Sequence, residues 1–151
     1  MNAKDLTILK LLQEDCTLSV KEIAEKIGLT FTPTYERIKQ LEKSGVIKKY
    51  VALLDREKVG LGIVVYCNIS MKEQSRQNAI TFEETISKYN EVQDVVSISG
   101  DYDYMIKVIA KDIDSYNEFV MNVISEIPAV GKINSSIVLK EVKNCTQLKI
   151  D

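Results

Sequence analysis

A single glycine, Gly28, separates two short stretches of helical periodicity, and that spacing restricts residues 19–44 to a pair of helices joined by a tight turn. The first stretch opens on a capping box, in which the Ser19 hydroxyl can accept from the Glu22 N–H while the Glu22 side chain reaches back to the Ser19 N–H. Val20, Ile23, Ala24 and Ile27 then supply a buried face. Gly28 falls where the chain must leave the helix through a left-handed residue, a conformation that glycine adopts without a Cβ clash. Leu29 can plug the space between the helices. Thr32 is expected as the N-cap of the second helix and Pro33 at its first position, where its missing N–H costs nothing.

Wound at about 100° per residue, the second helix places Tyr35, Ile38, Leu41 and Glu42 on its packing side, with Pro33, Glu36, Gln40 and Lys43 opposite and Thr32, Arg37 and Lys39 on the flanks. The polar side is free for a partner. Arg37, Lys39, Gln40 and Lys43 are residue types that bond phosphates or base edges, and a helix N-terminus carrying Thr32 and Thr34 suits a phosphate. The pair is a helix-turn-helix, and double-stranded DNA is its expected partner. Phosphate anchoring is expected from Lys39, Lys43, Lys48 and Lys49, and base readout from Thr34, Glu36, Arg37 and Gln40. Lys48 and Lys49 lie in an extended segment, 46–54, expected as a connecting strand; they could touch the DNA backbone or be solvated strand charges.

The overall charge of −2 at first opposes that reading. Residues 1–60, however, carry eleven Lys/Arg against nine Asp/Glu, a net +2, whereas residues 61–151 carry nine against thirteen, a net −4. Charge therefore separates mildly into a basic head and an acidic body. Hydrophobic residues make up 45% and charged residues 28% of the 151, the balance of a soluble globular chain with room for one or two small domains.

Histidine is absent, which removes the commonest general base, metal ligand and partner of a nucleophile. Cys16, Cys67 and Cys145 are widely spaced and odd in number, so neither a disulfide framework nor a zinc site is expected. No catalytic residue, metal or cofactor is assigned, and the chain does not read as an enzyme. Lys4, Asp5, Gln13, Glu14 and Asp15 break the apolar positions of the N-terminus, which reads as an amphipathic helix over 3–14 rather than a signal peptide. With no stretch of membrane-spanning length, no membrane partner and a cytoplasmic location are expected.

From Leu61 the period changes to two, with Leu61, Ile63, Val65, Cys67, Ile69 and Met71 on one face of a strand over 61–71. A helix with Ala79, Phe82, Ile86 and Tyr89 buried follows. Strands over 92–99 and 104–110 flank the turn Gly100-Asp101-Tyr102-Asp103 and should form a hairpin. Asp112 or Asp114 can cap a last helix burying Tyr116, Phe119, Val120, Val123, Ile124 and Ile127, and a final strand is expected over 131–142. The fold class is α+β: a three-helix, winged-type helix-turn-helix over 1–60 with its connecting strand, then a βαββαβ ferredoxin-like (ACT-like) domain over 61–151. Two helices cover one sheet face. The other, bearing Met105, Lys107 and Ile109, is half apolar and predicts a two-fold dimer that would present two heads to major grooves about 34 Å apart.

These parts together resemble the Lrp/AsnC, or feast/famine, family of bacterial and archaeal transcription regulators over nearly the whole chain. The residues that carry the resemblance are Asp5-Leu6-Thr7-Ile8-Leu9, Glu22-Ile23-Ala24, Gly28-Leu29-Thr30, Arg37-Ile38, Leu41-Glu42, Gly45-Val46-Ile47, Gly60, Ser99-Gly100-Asp101-Tyr102-Asp103-Tyr104 and Ile127-Pro128-Ala129-Val130. Tyr35 departs from it, since the family often has an aliphatic residue there. The resemblance implies a DNA-binding head, a body that binds an amino acid or related metabolite, and dimers that assemble into tetramers or octamers. It also implies an effector site between dimers at the turn Gly100, Asp101, Tyr102 and Asp103, to which Ser135 and Ser136 of the last strand could add contacts. Two other functions remain open: a siroheme-decarboxylase-like enzyme, which shares this architecture but is expected to use histidine, and a metabolite-binding oligomer that does not read DNA.

Overall fold

In the computed structural model, which describes residues 1–151, four of the five α-helices begin at a short polar side chain that accepts from the amide three residues on: Asn2, Ser19, Ser75 and Asp112. The chain forms two compact units, Met1–Leu53 with Lys143–Asp151, and Leu54–Val142.

The first unit contains α1 (Ala3–Glu14), α2 (Val20–Ile27) and α3 (Phe31–Lys43). Ile8, Leu9, Ile23, Ile27, Ile38 and Leu41 form its core. The Ser19/Glu22 capping box is formed in both directions, and Gly28 ends α2 with φ 65°. The Lys4 ammonium donates to the Ile27 carbonyl, placing a cation at the negative end of α2.

The start of α3 differs from the expected one. Thr30, not Thr32, is the N-cap, without a side-chain bond, and Pro33 is the third helical residue. Both placements satisfy the same rule, because none of the first four amides of a helix has an intrahelical acceptor and proline loses nothing there. The rotation of the helix also differs: Thr34 is fully buried, whereas Tyr35, expected in the core, is 44% exposed. The Thr34 hydroxyl donates to the Thr30 carbonyl at 2.9 Å, so its polar atom is satisfied while its methyl packs. Segment 46–54, expected as a strand, has no pairing partner within the chain and forms no ladder.

The last nine residues also pack in the first unit, where a boundary at residue 60 would have left them out. The Leu148 N–H donates to Gln13 Oε1 at 2.7 Å, and Gln13 Nε2 donates to the Leu148 carbonyl at 3.2 Å. One side-chain amide thus pairs with the backbone as a neighbouring strand would. Two residues on, Ile150 joins Leu12, Leu18 and Ile47 around the core.

The second unit contains β1 (Ile63–Met71), α4 (Arg76–Ile86), β2 (Val92–Ser97), β3 (Tyr104–Ala110), α5 (Ile113–Phe119), a π-helical turn (Val120–Ile124) and β4 (Val130–Ile137). The strands lie in the order β2-β3-β1-β4, all neighbours antiparallel, which is the ferredoxin-like arrangement. Val65, Cys67, Ile69, Ile106 and Val108 meet Phe82 and Ile86 of α4 and Tyr116, Phe119 and Ile124 on the covered face. On the face away from the helices Tyr66 lies opposite Lys107, Asn68 opposite Met105, and Val64, already buried within the chain, opposite Ile109. β4 stops at Ile137, short of the expected 142, because its ladder ends near the start of β1.

Removing residues 146–151, or replacing Gln13→Ala, should lower the stability of the first unit by about 1–2 kcal/mol, the size of two exposed hydrogen bonds and one partly buried isoleucine. Amide exchange in α1 should accelerate while β1 and β3 keep their protection. Unchanged exchange in α1 would show that the tail contributes nothing.

Candidate nucleic-acid and effector sites

With Thr34, Ile38 and Leu41 buried, α3 turns Thr32, Glu36, Lys39, Gln40 and Lys43 outward. Of the residues expected to touch DNA, Thr34 is therefore withdrawn into the core and has no surface to offer. Arg37 lies on the flank toward α1, where its guanidinium meets the Asp5 carboxylate at 2.8 Å. The Asn2 amide, and after it the Arg37 guanidinium, hold the Asp5 carboxyl below its ordinary value near 3.8. Arg37 thus locks α3 to α1.

Lys39 is also engaged, donating to Glu42 at 2.7 Å and standing 5.7 Å from the centre of the Tyr35 ring. The Tyr50 hydroxyl donates to the other Glu42 oxygen at 3.1 Å, and burial together with that carboxylate raises its pKa to about 12. Lys43, Lys48 and Lys49 are exposed, with no ion pair formed. Tyr35, expected on the packing side, stands outside instead, 44% exposed, and lies parallel to the 55% exposed Phe31 with ring centroids 6.1 Å apart.

In the second unit, the turn between β2 and β3 is tied to the end of β1. The Asp103 N–H donates to the Ile69 carbonyl at 2.9 Å, and the Ser70 hydroxyl donates to the Asp101 carbonyl at 3.3 Å. Both oxygens of Asp103 are used within the fold, accepting from the Met71 N–H at 2.7 Å and from Gln74 Nε2 at 2.9 Å. Asp103 is therefore a scaffold of the turn. Gly100 takes φ 114°, open to glycine and strained for other residues. The exposed Asp101 carboxylate carries no hydrogen bond or ion pair and is the free anion of the loop.

The two serines of the last strand are not brought to this turn. Ser135 lies on the covered side opposite Cys67, with its hydroxyl 2.5 Å from the Tyr116 hydroxyl, and Ser136 lies opposite Tyr66, nearer the other end of β1. The β4 residue at the level of the turn is Lys132, opposite Ser70, with its ammonium 5.7 Å from the centre of the Tyr102 ring. Sequence reasoning missed Lys132 because the signal is the pairing register of β4, which no local pattern fixes. A cavity of about 310 Å³ lies between the start of α4, the ends of β1 and β2 and the start of β3, lined by Gln74, Ser75, Arg76, Ser97, Asp103 and Tyr104 among others. No group of three or more His, Cys, Asp or Glu side chains is arranged to hold a metal ion, and no helix is long and apolar enough to cross a membrane.

Comparison with known proteins reaches both units. The Lrp/AsnC ligand binding domain matches residues 64–148, and the winged helix-turn-helix DNA-binding family matches residues 1–48. The chain is 35% identical over 147 residues to the DNA-binding transcriptional activator DecR of Escherichia coli, covering 97% of each sequence. Among solved structures, a transcriptional regulator of Neisseria meningitidis in complex with L-Met superposes with a TM-score of 0.94 at 31% identity, over 99% of this chain and 96% of that one. An AsnC family transcriptional regulator from Agrobacterium tumefaciens gives 0.93 at 36%, over 99% and 97%.

A double-mutant cycle on Asp5→Asn and Arg37→Ala should give a coupling of about 0.5–1 kcal/mol, the range of a partly exposed ion pair. Because the folded Asp5 pKa lies below its unfolded value, this contribution is fully present well above the unfolded value and is lost as pH falls through the folded one. The gap in denaturant midpoint between wild type and Asp5→Asn should therefore narrow steadily as pH is lowered from neutral into the carboxylate range; a gap independent of pH would contradict the assignment.

Proposed function

The chain belongs to the Lrp/AsnC family of transcription regulators, and from that membership we propose that it is a sequence-specific DNA-binding regulator whose second unit senses an amino acid. The observation that carries the DNA half is the outward face of α3, with Thr32, Glu36, Gln40 and Lys43 exposed on the second helix of a helix-turn-helix. Gln40 and Glu36 read base edges, Thr32 sits at the N-terminus where a phosphate is favoured, and Lys43, Lys48 and Lys49 anchor the backbone. Lys39 stays on Glu42 and adds its charge beside the backbone without leaving that partner. Arg37 acts as a positioning residue, setting the angle of α3 through Asp5.

The effector is a free amino acid held at the turn Gly100, Asp101 and Tyr102. A zwitterion needs one anion and one cation; Asp101, next to Tyr102 in the turn, and Lys132, whose ammonium lies over the Tyr102 ring, supply them. The L-Met complex of the Neisseria relative supports an amino acid as the class. Two copies pair through the open sheet face, burying Tyr66, Val96, Met105 and Ile109, and such dimers assemble further into tetramers or octamers. The regulators named among the relatives support a protein that works on DNA in the cytoplasm and is not an enzyme.

Operator binding should weaken with salt at a slope of about −0.9 per phosphate neutralised, and Lys43→Ala, Lys48→Ala and Lys49→Ala should each reduce that slope by about one while weakening all sequences alike. Gln40→Ala should instead relax the base preference of a selected site by about 1–3 kcal/mol. Titration of operator complexes across a salt series checks both; a flat salt response overturns the DNA reading. In calorimetry against a panel of amino acids, Asp101→Ala and Lys132→Ala should each abolish effector binding with DNA affinity intact. Full binding by either variant would move the effector elsewhere.

A further inference from the structure

The parallel aromatic pair at the start of α3 is placed where an apolar surface has little reason to be exposed. Phe31 is the first residue of the helix and Tyr35 stands one turn further on, both on the flank next to the outward face. Their neighbours fix them in place. Lys39, one more turn along, sets its ammonium 5.7 Å from the centre of the Tyr35 ring and is held by Glu42, which in turn accepts from Tyr50. A continuous rail, Tyr50–Glu42–Lys39–Tyr35–Phe31, thus presents a rigid apolar tip at the N-terminus of the helix, with little rotamer freedom left to lose on binding.

That end of a second helix is the part that enters the major groove. The groove floor is polar apart from one feature, the 5-methyl group of thymine. We propose that the Phe31–Tyr35 stack is a specificity determinant that selects a thymine in each half-site by apolar contact with its methyl group. Phe31 makes the contact, and Tyr35 holds the Phe31 ring against the groove wall. The inference rests on the DNA-binding reading above and adds a base preference that no hydrogen-bonding residue of α3 supplies.

Removing one buried methyl from water-free contact is worth about 0.8 kcal/mol, or about four-fold in affinity per half-site. The test uses the full chain and an operator selected from random DNA, in which each thymine is replaced singly by deoxyuridine, a change that deletes the methyl and leaves every hydrogen-bonding group. For the wild type, one thymine per half-site should show a penalty of about four-fold or more. Phe31→Ala should bind the parent operator more weakly and lose that penalty, to within two-fold. Tyr35→Phe, which keeps the stack, should retain it.

The proposal is overturned if no thymine shows a penalty in the wild type, if the selected operator contains no thymine, or if Phe31→Ala keeps the penalty. It is equally overturned if Phe31→Ala leaves every DNA affinity unchanged and alters the oligomeric state by light scattering, since the stack would then be a protein contact. Absence of any DNA binding by the wild type would instead remove the functional reading itself, so the two failures are distinguishable.

Discussion

The rotation of α3 about its own axis decides what the first unit can present to a partner, and one small side chain sets it. Thr34 enters the core at zero exposure, next to Ile38 and Leu41, and its hydroxyl is satisfied four residues back at the Thr30 carbonyl. A larger residue there would have to push α3 away or turn it, because a packed interior yields little to added volume. With Thr34 inside, Tyr35 must lie about 100° around the helix, beyond the core. The exposed aromatic tip and the outward row of Thr32, Glu36, Gln40 and Lys43 are two consequences of the same setting.

Charge is sorted in this chain by partnership rather than by residue type. Arg37, Lys39 and Lys4 all point to groups of the same unit, at Asp5, Glu42 and the Ile27 carbonyl. Exposed ion pairs contribute between nothing and about 1 kcal/mol, so their larger effect is to fix rotamers and interhelical angles. Lys43, Lys48 and Lys49 are left unpaired and carry the charge that a polyanion meets first. The second unit repeats the division at one turn: Asp103 is absorbed by Met71 and Gln74, while Asp101 two residues earlier stays available. A carboxylate already accepting two hydrogen bonds makes a poor ligand for an ammonium, but its rigidity keeps its neighbour in place.

Legibility in the sequence followed the range of each signal. α1 over 3–14, the Ser19/Glu22 box, the Gly28 exit, β3 over 104–110 and the order of elements were readable, because capping, periodicity and turn chemistry act within a few residues. The start of α3 was misplaced by two residues since Pro33 suits any position of a first turn. Tyr35 and Thr34 take each other's expected places because a large aromatic ring reads as a packing residue ahead of a small hydroxyl side chain, whereas a buried threonine can satisfy its own hydroxyl at the i−4 carbonyl. Ser135, Ser136 and Lys132 could not be sorted without the register of β4 against β1, which is set across the sheet. The Arg37–Asp5 lock was hidden for the same reason, its partners lying 32 residues apart.

The least legible contact, between Gln13 and Leu148, spans 135 residues and raises the question of how so distant a pair can be worth closing. Its cost is reduced by the second unit. Once that unit has folded, Arg56 Nε lies 3.4 Å from Glu141, near the points where the chain enters and leaves it. The remaining loop runs from residue 13 to 56 and from 141 to 148, about 50 residues, and closing it costs about 1 kcal/mol less than closing the full span. Folding of the second unit therefore makes the tail available to the first. A helical unit of some fifty residues is short of apolar surface to bury, and Ile150 adds a side chain to its core that residues 1–53 do not contain. The first unit, though it begins the chain, is complete only after its last residues have been made.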